Sequence, residues 1–500
     1  MQRAFLLLVM AAATAHSWHR RFLIDDAFIS FRYAANLTSG HGLVFNAGER
    51  VEGYTNFLWT LLTAGAMSAG LDPASFSWGA GLASSAALLW VVWRWGRDLG
   101  LEGLWAILPP AMLAANRSFA VWATGGLETR LFTLLVVAGA WRVGRELTAP
   151  PAQAASRFPF SAVLLALACL TRPEGYLAAA VALAVMAWRG PRRHALLAGA
   201  VIGVVCGAHE AWRLSYYGDW VPNSFRAKVA GPRLVSGVVY LAVFARHHLL
   251  AVALVAAAAC AWRRRWPRLP LAGFAVPFAA LFVVYTLLVG GDHFEFRFVD
   301  VLLPLAFLAA AAAAGGALRA APPLAAGVVA ALLLGGAALS SLTGFAGVDR
   351  QVPFAGGSHY VSIVSAETEA AYLAYWERIG DWLRDHAASD ESIAVTPAGV
   401  IPYLTGLRTL DMLGINDREI ARLPARPGRN VGHEKRVEAD VARARGITYL
   451  VADPVISRGP ADRPPRAVEV DFGDFHWYFL PLTDTARIPP GSSWKAGSHP

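Results

Sequence analysis

Ionisable and amide side chains are gathered in four short polar segments between long apolar runs. In chain order they are Asp25, Asp26, Glu52, Tyr54 and Asn56; Arg172 and Glu174; Asn223, Arg226 and Lys228; and Asp292, His293 and Arg297. Ionisable side chains at membrane depth are costly, so their presence there indicates function. Glu128 belongs with them, because an unpaired carboxylate at the end of an apolar run is expensive.

These residue types suit a reaction at a hydroxyl group beside a phosphate. An aspartate within hydrogen-bond reach of a hydroxyl can act as a general base, and Asp25 or Asp26 fits that role. Cations stabilise the charge that develops on a departing phosphate, with arginine making bidentate contacts and lysine acting as a point charge. The candidates for phosphate binding are Arg172, Arg226, Lys228, His293 and Arg297.

The composition predicts that a membrane bundle positions these side chains. The chain has 500 residues, of which 56% are hydrophobic and 16% charged, whereas soluble domains carry about 25% charged residues. The net charge of +9 comes from tight basic groups between apolar segments. Such groups are typical of cytoplasmic topology anchors rather than of a nucleic-acid-binding face.

The apolar runs predict about eleven transmembrane helices within a membrane domain of residues 1–344. A span needs about 20 apolar residues, or fewer where helices are short. Residues 19–75 form a long first loop, in which Asn56 to Gly70 is expected to be an interfacial helix. The first run also resembles a signal peptide, and we interpret it as a retained helix. The predicted spans are residues 3–18, 76–93, 103–116, 119–141, 160–171, 176–188, 195–214, 236–262, 271–290, 299–317 and 322–343.

Arginines in alternate loops predict the orientation of the bundle. With the N-terminus inside, the basic loops, such as those holding Arg94, Arg189 and Arg263, lie on the cytoplasmic side, as the positive-inside rule requires. The four polar segments then converge on the external face. We therefore expect a bacterial inner-membrane protein whose site faces the periplasm or exterior.

Residues 345–500 predict a second, external α/β domain. Residues 367–387 have helical periodicity, and short β-rich pieces at 392–396, 447–451, 467–470 and 477–480 are separated by Gly and Pro. The final residues, 491–500, are expected to be disordered.

The reaction expected on an external face is glycosyl transfer from a lipid-phosphate sugar, since nucleotide sugars are confined to the cytoplasm. Each segment also has a structural interpretation. The Asp25-Asp26 pair could be a solvated helix end, Arg172 and Glu174 could pair with each other, and Asn223 could cap a helix. It is the convergence of the segments that favours a site.

Several motifs resemble the mycobacterial terminal β-(1→2)-arabinofuranosyltransferase family of the glycosyltransferase C superfamily. The motifs are Asp25-Asp-Ala-Phe-Ile-Ser-Phe-Arg-Tyr-Ala34, Gly48-Glu-Arg-Val-Glu-Gly-Tyr-Thr-Asn56, Gly126-Leu-Glu-Thr129, Thr171-Arg-Pro-Glu-Gly175, Pro222-Asn-Ser224 with Ala227-Lys228, Gly290-Gly-Asp292, Asp411-Met-Leu-Gly-Ile-Asn-Asp417 and Gly432-His-Glu-Lys435. The stretch after Asp292 is more acidic and aromatic than the family pattern. The resemblance therefore carries over fold and reaction type better than sugar or acceptor.

The resemblance implies a polyprenyl-phosphate arabinofuranose donor, a glycan or glycoconjugate acceptor in the cell envelope, and inversion at the anomeric carbon. It implies a catalytic aspartate in the first loop but does not settle which of the two acts; we favour Asp25 as the base, with Asp26 helping to position the acceptor or a cation. The residues expected to bind the sugar or acceptor are Glu52, Tyr54, Asn56, Glu128, Glu174, Asn223, Asp292 and His433.

A divalent cation such as Mg²⁺ or Mn²⁺ is compatible with the sequence but not demanded by it. Asp25, Asp26, Glu52 and Asp292 could supply oxygen ligands. Two other functions stay open. A flippase for a lipid-linked saccharide would place polar residues at the membrane midplane, and a non-catalytic scaffold would use the C-terminal domain to hold glycan.

Overall fold

A helical bundle precedes a smaller α/β domain in the computed structural model. The model describes residues 2–148, 158–228, 231–248, 270–318, 321–354, 357–425, 434–457, 467–483, 486–487 and 492. Among the helices in these ranges, four are long and apolar enough to cross a membrane: Pro73–Asp98, Arg192–Tyr217, Asp300–Ala317 and Pro323–Thr343. Shorter apolar helices accompany them, so a multi-pass membrane protein is supported while the predicted number of eleven spans is not confirmed.

The helices of the bundle follow most of the predicted runs. They are α1 Gln2–His19, α2 Asp25–Thr38, α3 Phe57–Ser68, α4 Pro73–Asp98, α5 Gly103–Ala115, α6 Arg117–Val121, α7 Thr129–Thr148, α8 Phe160–Thr171, α9 Gly175–Arg189, α10 Arg192–Tyr217, α11 Asn223–Lys228, α12 Leu234–His247, α13 Pro270–Val289, α14 Leu303–Ala317 and α15 Pro323–Thr343. The expected interfacial helix is α3. Most of the second half of the predicted span 236–262 lies outside the described residues.

The prediction of one continuous span over residues 119–141 was wrong. The chain forms the short helix α6, leaves helical conformation after Val121, and begins α7 only at Thr129. Gly126 lies at φ +83°, in a region that side-chain-bearing residues rarely adopt. The break leaves Glu128 next to the first turn of α7.

The first loop contains a helix, α2, that the sequence analysis left unassigned. Its first turn holds Asp25 and Asp26, and acidic side chains there are favoured by the helix dipole. Most of α2 is buried, including Phe31 and Tyr33, because it lies between the bundle and the C-terminal domain.

The C-terminal α/β domain is built on a five-stranded sheet in the order β4-β3-β5-β7-β6. Strands β3, β4 and β5 are parallel, and β7 runs antiparallel to both β5 and β6. The predicted helix is α16, while the hairpin β1–β2 and strand β4 were not predicted. The elements are β1 Val348–Phe354, β2 Gly357–Ile363, α16 Ala366–His386, β3 Ser392–Val395, α17 Val400–Thr405, β4 Arg408–Asp411, α18 Ala439–Ala444, β5 Tyr449–Ser457, β6 Val468–Asp471 and β7 His476–Pro481.

Polar contacts fix the C-terminal domain to the first loop and to the bundle. The Arg32 guanidinium donates to the carbonyl of Leu407 at 2.8 Å and also to that of Pro402. Arg117 pairs with Glu295 and with Glu367 of α16, at 2.6 Å in each case. Because buried donors and charges are costly without partners, these contacts restrict how the domain can sit on the bundle.

Candidate functional site

A cavity of about 320 Å³ lies where α2, the polar loops of the bundle and the C-terminal domain meet. It is within the usual size range of small-molecule sites. The structure brings eleven of the predicted site residues to its walls: Asp25, Asp26, Tyr54, Asn56, Glu128, Arg172, Glu174, Lys228, Asp292, His293 and Arg297.

Asp25 is held by the C-terminal domain. Its Oδ2 accepts from the Gly399 amide and its Oδ1 from the Val400 amide, both at 2.8 Å. A Cβ on Gly399 would stand 1.9 Å from the Asp25 carbonyl oxygen, so only glycine permits this approach. Burial raises the pKa of Asp25 to about 7; the Val400 amide opposes the rise, and the neighbouring Asp26 adds to it.

Asp26 has a different environment although it is the next residue. Its side chain is 28% exposed, and its Oδ2 lies 3.6 Å from Lys228 Nζ. That distance is longer than a hydrogen bond, so the lysine is near enough to attract the carboxylate without being closely bound. Lys228 is itself 41% exposed and is available to an anion in the cavity.

Arg172 is the centre of a buried ion network. Its guanidinium contacts both oxygens of Glu174, at 2.9 and 3.2 Å, and Glu128 Oε1 at 3.1 Å. Glu128 Oε2 in turn accepts from Asn56 Nδ2 at 2.8 Å. The structural interpretation of Arg172 and Glu174 as partners is therefore correct, and the same network reaches the first loop.

The last polar segment adds a second ion pair. Arg297 Nε donates to Asp292 Oδ2 at 3.0 Å, and the guanidinium lies 5.0 Å from the Phe294 ring centroid. Burial alone would raise the pKa of Asp292, but Arg297 and Arg172 hold that pKa below its usual value. Asp292 is thus a stable carboxylate, and it fixes one edge of Arg297.

Three predicted residues lie away from the cavity walls, and a fourth cannot be placed. Arg226 pairs with Asp219 at 2.6 Å, and Glu52 pairs with Arg213 at 2.8 Å. Each of these two residues is therefore paired with an oppositely charged side chain, and neither lines the cavity. His433 lies outside the described residues.

Asn223 is the third of these residues, and it connects the two parts of the chain. Its Nδ2 lies within hydrogen-bond distance of three carbonyl groups in the C-terminal domain, those of Gly414, Ile415 and Asp417. The Asn223 amide nitrogen therefore makes an interdomain contact.

Several residues that line the cavity were not predicted as site residues from the sequence. Glu369, Trp376 and Thr396 come from the C-terminal domain, and Ser224 comes from the bundle. Burial first, and then the neighbouring Asp26 and Asp25, raises the pKa of Glu369 to about 8. A signal was present: Glu369 precedes Trp376 by two helical turns and so places a carboxylate on the otherwise apolar face of α16.

The carboxylates do not form a ready metal site. Of the four proposed ligands, Asp25, Asp26 and Asp292 line the cavity, but each already faces an amide or a cation, and Glu52 lies elsewhere. Within the described ranges, no group of three or more His, Cys, Asp or Glu side chains is arranged to hold a metal ion.

Parts of this chain are similar in sequence to a family model and to two curated proteins. A family model described as a domain of unknown function, DUF8728, matches residues 362–489. The terminal β-(1→2)-arabinofuranosyltransferase of Mycobacterium tuberculosis is 36% identical over 259 residues, covering 48% of this chain and 40% of that protein. Its namesake from Corynebacterium glutamicum is 29% identical over 330 residues, covering 58% and 47%. The chain therefore spans less than half the length of these curated relatives.

Solved structures give the fold. The Archaeoglobus fulgidus oligosaccharyltransferase in its apo form has a TM-score of 0.54 at 11% identity, covering 91% of this chain and 69% of that one. The same protein in complex with Zn and sulfate has a TM-score of 0.52 at 11% identity, covering 94% and 72%. The chain thus resembles the terminal β-(1→2)-arabinofuranosyltransferases in sequence and shares the fold of the Archaeoglobus fulgidus oligosaccharyltransferase.

Proposed function

We propose that this protein is a membrane glycosyltransferase that moves a sugar, arabinofuranose by its similarity, from a polyprenyl-phosphate donor to a hydroxyl of a cell-envelope glycan or glycoconjugate. The observation that carries the proposal is the placement of Asp25 in the same cavity as Lys228 and Arg297. A carboxylate with a pKa near 7 is suited to general-base work at neutral pH, and the cations suit a departing phosphate.

The reaction needs one base and one anion site. Asp25 accepts the proton of the acceptor hydroxyl while the hydroxyl oxygen forms a bond to the anomeric carbon. The bond from that carbon to the phosphate oxygen breaks, its electron pair leaves with the polyprenyl phosphate, and the anomeric configuration inverts. The proton then passes from Asp25 to solvent. The amides of Gly399 and Val400 aim the carboxylate, so that little reorganisation precedes the transfer.

The cations divide into two kinds. The Arg172 guanidinium is occupied by Glu174 and Glu128, so its role is to position the loops around the cavity. Lys228 is partly exposed, and Arg297 lines the cavity and contacts Asp292 through Nε rather than through its terminal nitrogens. We assign the donor phosphate to Lys228 and Arg297.

We also propose how the chain is arranged across the membrane. Residues 1–344 form the membrane domain and residues 345–500 the C-terminal domain, with the cavity on the periplasmic or external side of the inner membrane. A donor with a polyprenyl chain fits this arrangement, because its phosphate would meet the cavity while its chain stays in the bilayer.

The test uses the full chain in detergent with a synthetic farnesyl-phosphate arabinofuranose donor and an octyl arabinofuranoside acceptor. Asp25→Asn is expected to lower transfer by about 10²–10⁴-fold, the usual contribution of a general base, with donor binding retained. Asp26→Asn should cause a smaller loss. Full transfer by Asp25→Asn would overturn the assignment of the base, and a wild-type protein that binds donor but modifies no glycan acceptor would overturn the function.

A further inference from the structure

The wall of the cavity formed by the C-terminal domain has polar groups that the reaction proposed above does not use. Thr396 is 6% exposed, and its hydroxyl is among the described buried polar atoms without a hydrogen-bond partner. Burying an unpaired hydroxyl costs free energy. Because Thr396 lines the cavity, a ligand bound there is placed to supply the missing hydrogen bond.

A second group on the same wall points in the same direction. Glu369 of α16 is 6% exposed and lines the cavity. The nearby His293 Nε2 lies 3.8 Å from Glu369 Oε1, which is beyond hydrogen-bond distance. The carboxyl group therefore has capacity for a further partner. Two helical turns along α16, the half-buried Trp376 brings an aromatic ring to the same wall.

The topology of the sheet places this wall where binding sites commonly form. Thr396 follows β3, Leu413 follows β4 and Asp453 lies within β5, past its parallel pairing with β3, and all three line the cavity. The cavity thus lies at the carboxyl ends of the three parallel strands. In open α/β sheets, ligands bind in the crevice outside these ends.

We propose that Thr396, Glu369 and Trp376 form a sugar-binding subsite that holds the acceptor glycan. Hydroxyl and carboxyl groups exchange hydrogen bonds with sugar hydroxyls, and an aromatic ring packs on the apolar face of a sugar. The donor phosphate is assigned to Lys228 and Arg297, so the donor contacts the bundle and the acceptor contacts the C-terminal domain. The inference rests on the proposed function and adds which residues select the acceptor.

The test separates acceptor binding from donor binding and chemistry. Thr396→Val, Glu369→Gln and Trp376→Leu are compared with wild type by the KM for octyl arabinofuranoside, the kcat, and the Kd for the farnesyl-phosphate donor. Each change should raise the acceptor KM about five- to tenfold, the loss expected for one hydrogen bond or ring contact. The kcat and the donor Kd should change by less than about twofold.

Matched controls keep the test clear of folding effects. Glu377→Gln alters a carboxylate on the same helix that is absent from the cavity walls, and it should leave the acceptor KM unchanged. Thr396→Val is nearly isosteric and removes an unpaired hydroxyl, so the melting temperature should be unchanged or raised. An unaltered acceptor KM in both Thr396→Val and Glu369→Gln would overturn the subsite, as would a change in donor Kd alone.

Equilibrium binding of the octyl arabinofuranoside distinguishes the two proposals. If wild type transfers sugar but the variants bind the glycoside as wild type does, the subsite is wrong and the function stands. If wild type binds the glycoside but transfers no sugar, and the Thr396→Val variant no longer binds the glycoside, the subsite stands and the function is wrong. If wild type binds no glycoside and transfers none, the subsite is overturned as well.

Discussion

The two walls of the cavity differ in how their polar groups are satisfied. On the wall formed by the bundle, Arg172 is paired with Glu174 and Glu128, and Arg297 is paired with Asp292. On the wall formed by the C-terminal domain, the Thr396 hydroxyl has no partner in the described structure and Glu369 has only a distant histidine. The bundle therefore presents a preassembled electrostatic site, whereas the C-terminal domain presents unused hydrogen-bonding capacity.

The difference follows from the cost of burying charge. An ion taken out of water loses several kcal/mol of solvation unless a partner and additional hydrogen bonds replace it, so a guanidinium in the loops of a membrane protein must be paired before substrate arrives. An unpaired hydroxyl costs only about 1–3 kcal/mol. The protein can leave such a group open for a ligand.

The largest effect is expected from breaking the network of Arg172. Arg172→Ala leaves Glu174 and Glu128 buried without their cation, and the loss of one partner from a buried pair costs about 3–5 kcal/mol. Chemical denaturation in mixed micelles should show this fall in the free energy of unfolding. Arg50→Ala, at an exposed arginine over Tyr216, should change it by less than about 0.5 kcal/mol. Equal stability of the two variants would contradict a preassembled bundle wall.

The next effect concerns donor affinity. Arg297→Ala and Lys228→Ala each remove one charge-assisted contact to the donor phosphate, which is worth about 1.5–3 kcal/mol, or roughly 10–100-fold in affinity. Binding of farnesyl-phosphate arabinofuranose, measured by calorimetry, should weaken accordingly, while acceptor binding should be unchanged. Arg226→Ala is the matched control, because this arginine pairs with Asp219 away from the cavity. An equal loss in Arg226→Ala would move the phosphate site.

A pH profile tests the base without removing it. The pKa of Asp25 is raised to about 7, first by burial, and only the deprotonated carboxylate can accept the proton. Transfer should therefore rise with pH through about 7 and level off above it. Asp26→Asn removes a negative neighbour that raises the pKa of Asp25, so the rising limb should move to lower pH. Asp474→Asn, at a surface carboxylate paired with Arg378, should leave the limb in place.

The smallest effect is expected at Ser224, a bundle residue that lines the cavity. Its hydroxyl lies one helical turn before Lys228 and has no hydrogen-bond partner in the described part of the chain. Ser224→Ala should weaken donor binding about fivefold, as for one neutral hydrogen bond, and should not lower the melting temperature. A donor Kd identical to wild type would show that Ser224 does not contact the phosphate and that Lys228 is the donor-binding residue of this helix.

A large part of the site could be predicted from the sequence, because ionisable residues are rare in an apolar chain and are therefore easy to identify. Asp25, Asp292 and Arg297 could be selected as ionisable residues in polar interruptions, and the cavity contains them. Glu369 and Thr396 could not be selected in the same way. They belong to a domain of ordinary composition, in which a threonine or glutamate is most often a surface residue.

Residues of the same type that lie close together in the sequence also have different environments in the structure. Arg226 and Lys228 lie on the same short helix, yet Arg226 pairs with Asp219 and only Lys228 reaches the cavity. Asp25 and Asp26 are adjacent, yet one is buried beneath two amides and the other is partly exposed. Successive positions on a helix face different directions, and the choice between them depends on what packs against each face.

By itself, the sequence determined that the chain forms a membrane bundle followed by an α/β domain, since apolar length and periodicity report burial in lipid or in a core. It also determined which loops carry charge. The tertiary structure decided which charges are paired and where the span predicted over 119–141 breaks. It also decided that the C-terminal domain completes the cavity by placing the amides of Gly399 and Val400 on Asp25. Such contacts join residues far apart in the chain, and their geometry depends on packing that no local pattern encodes.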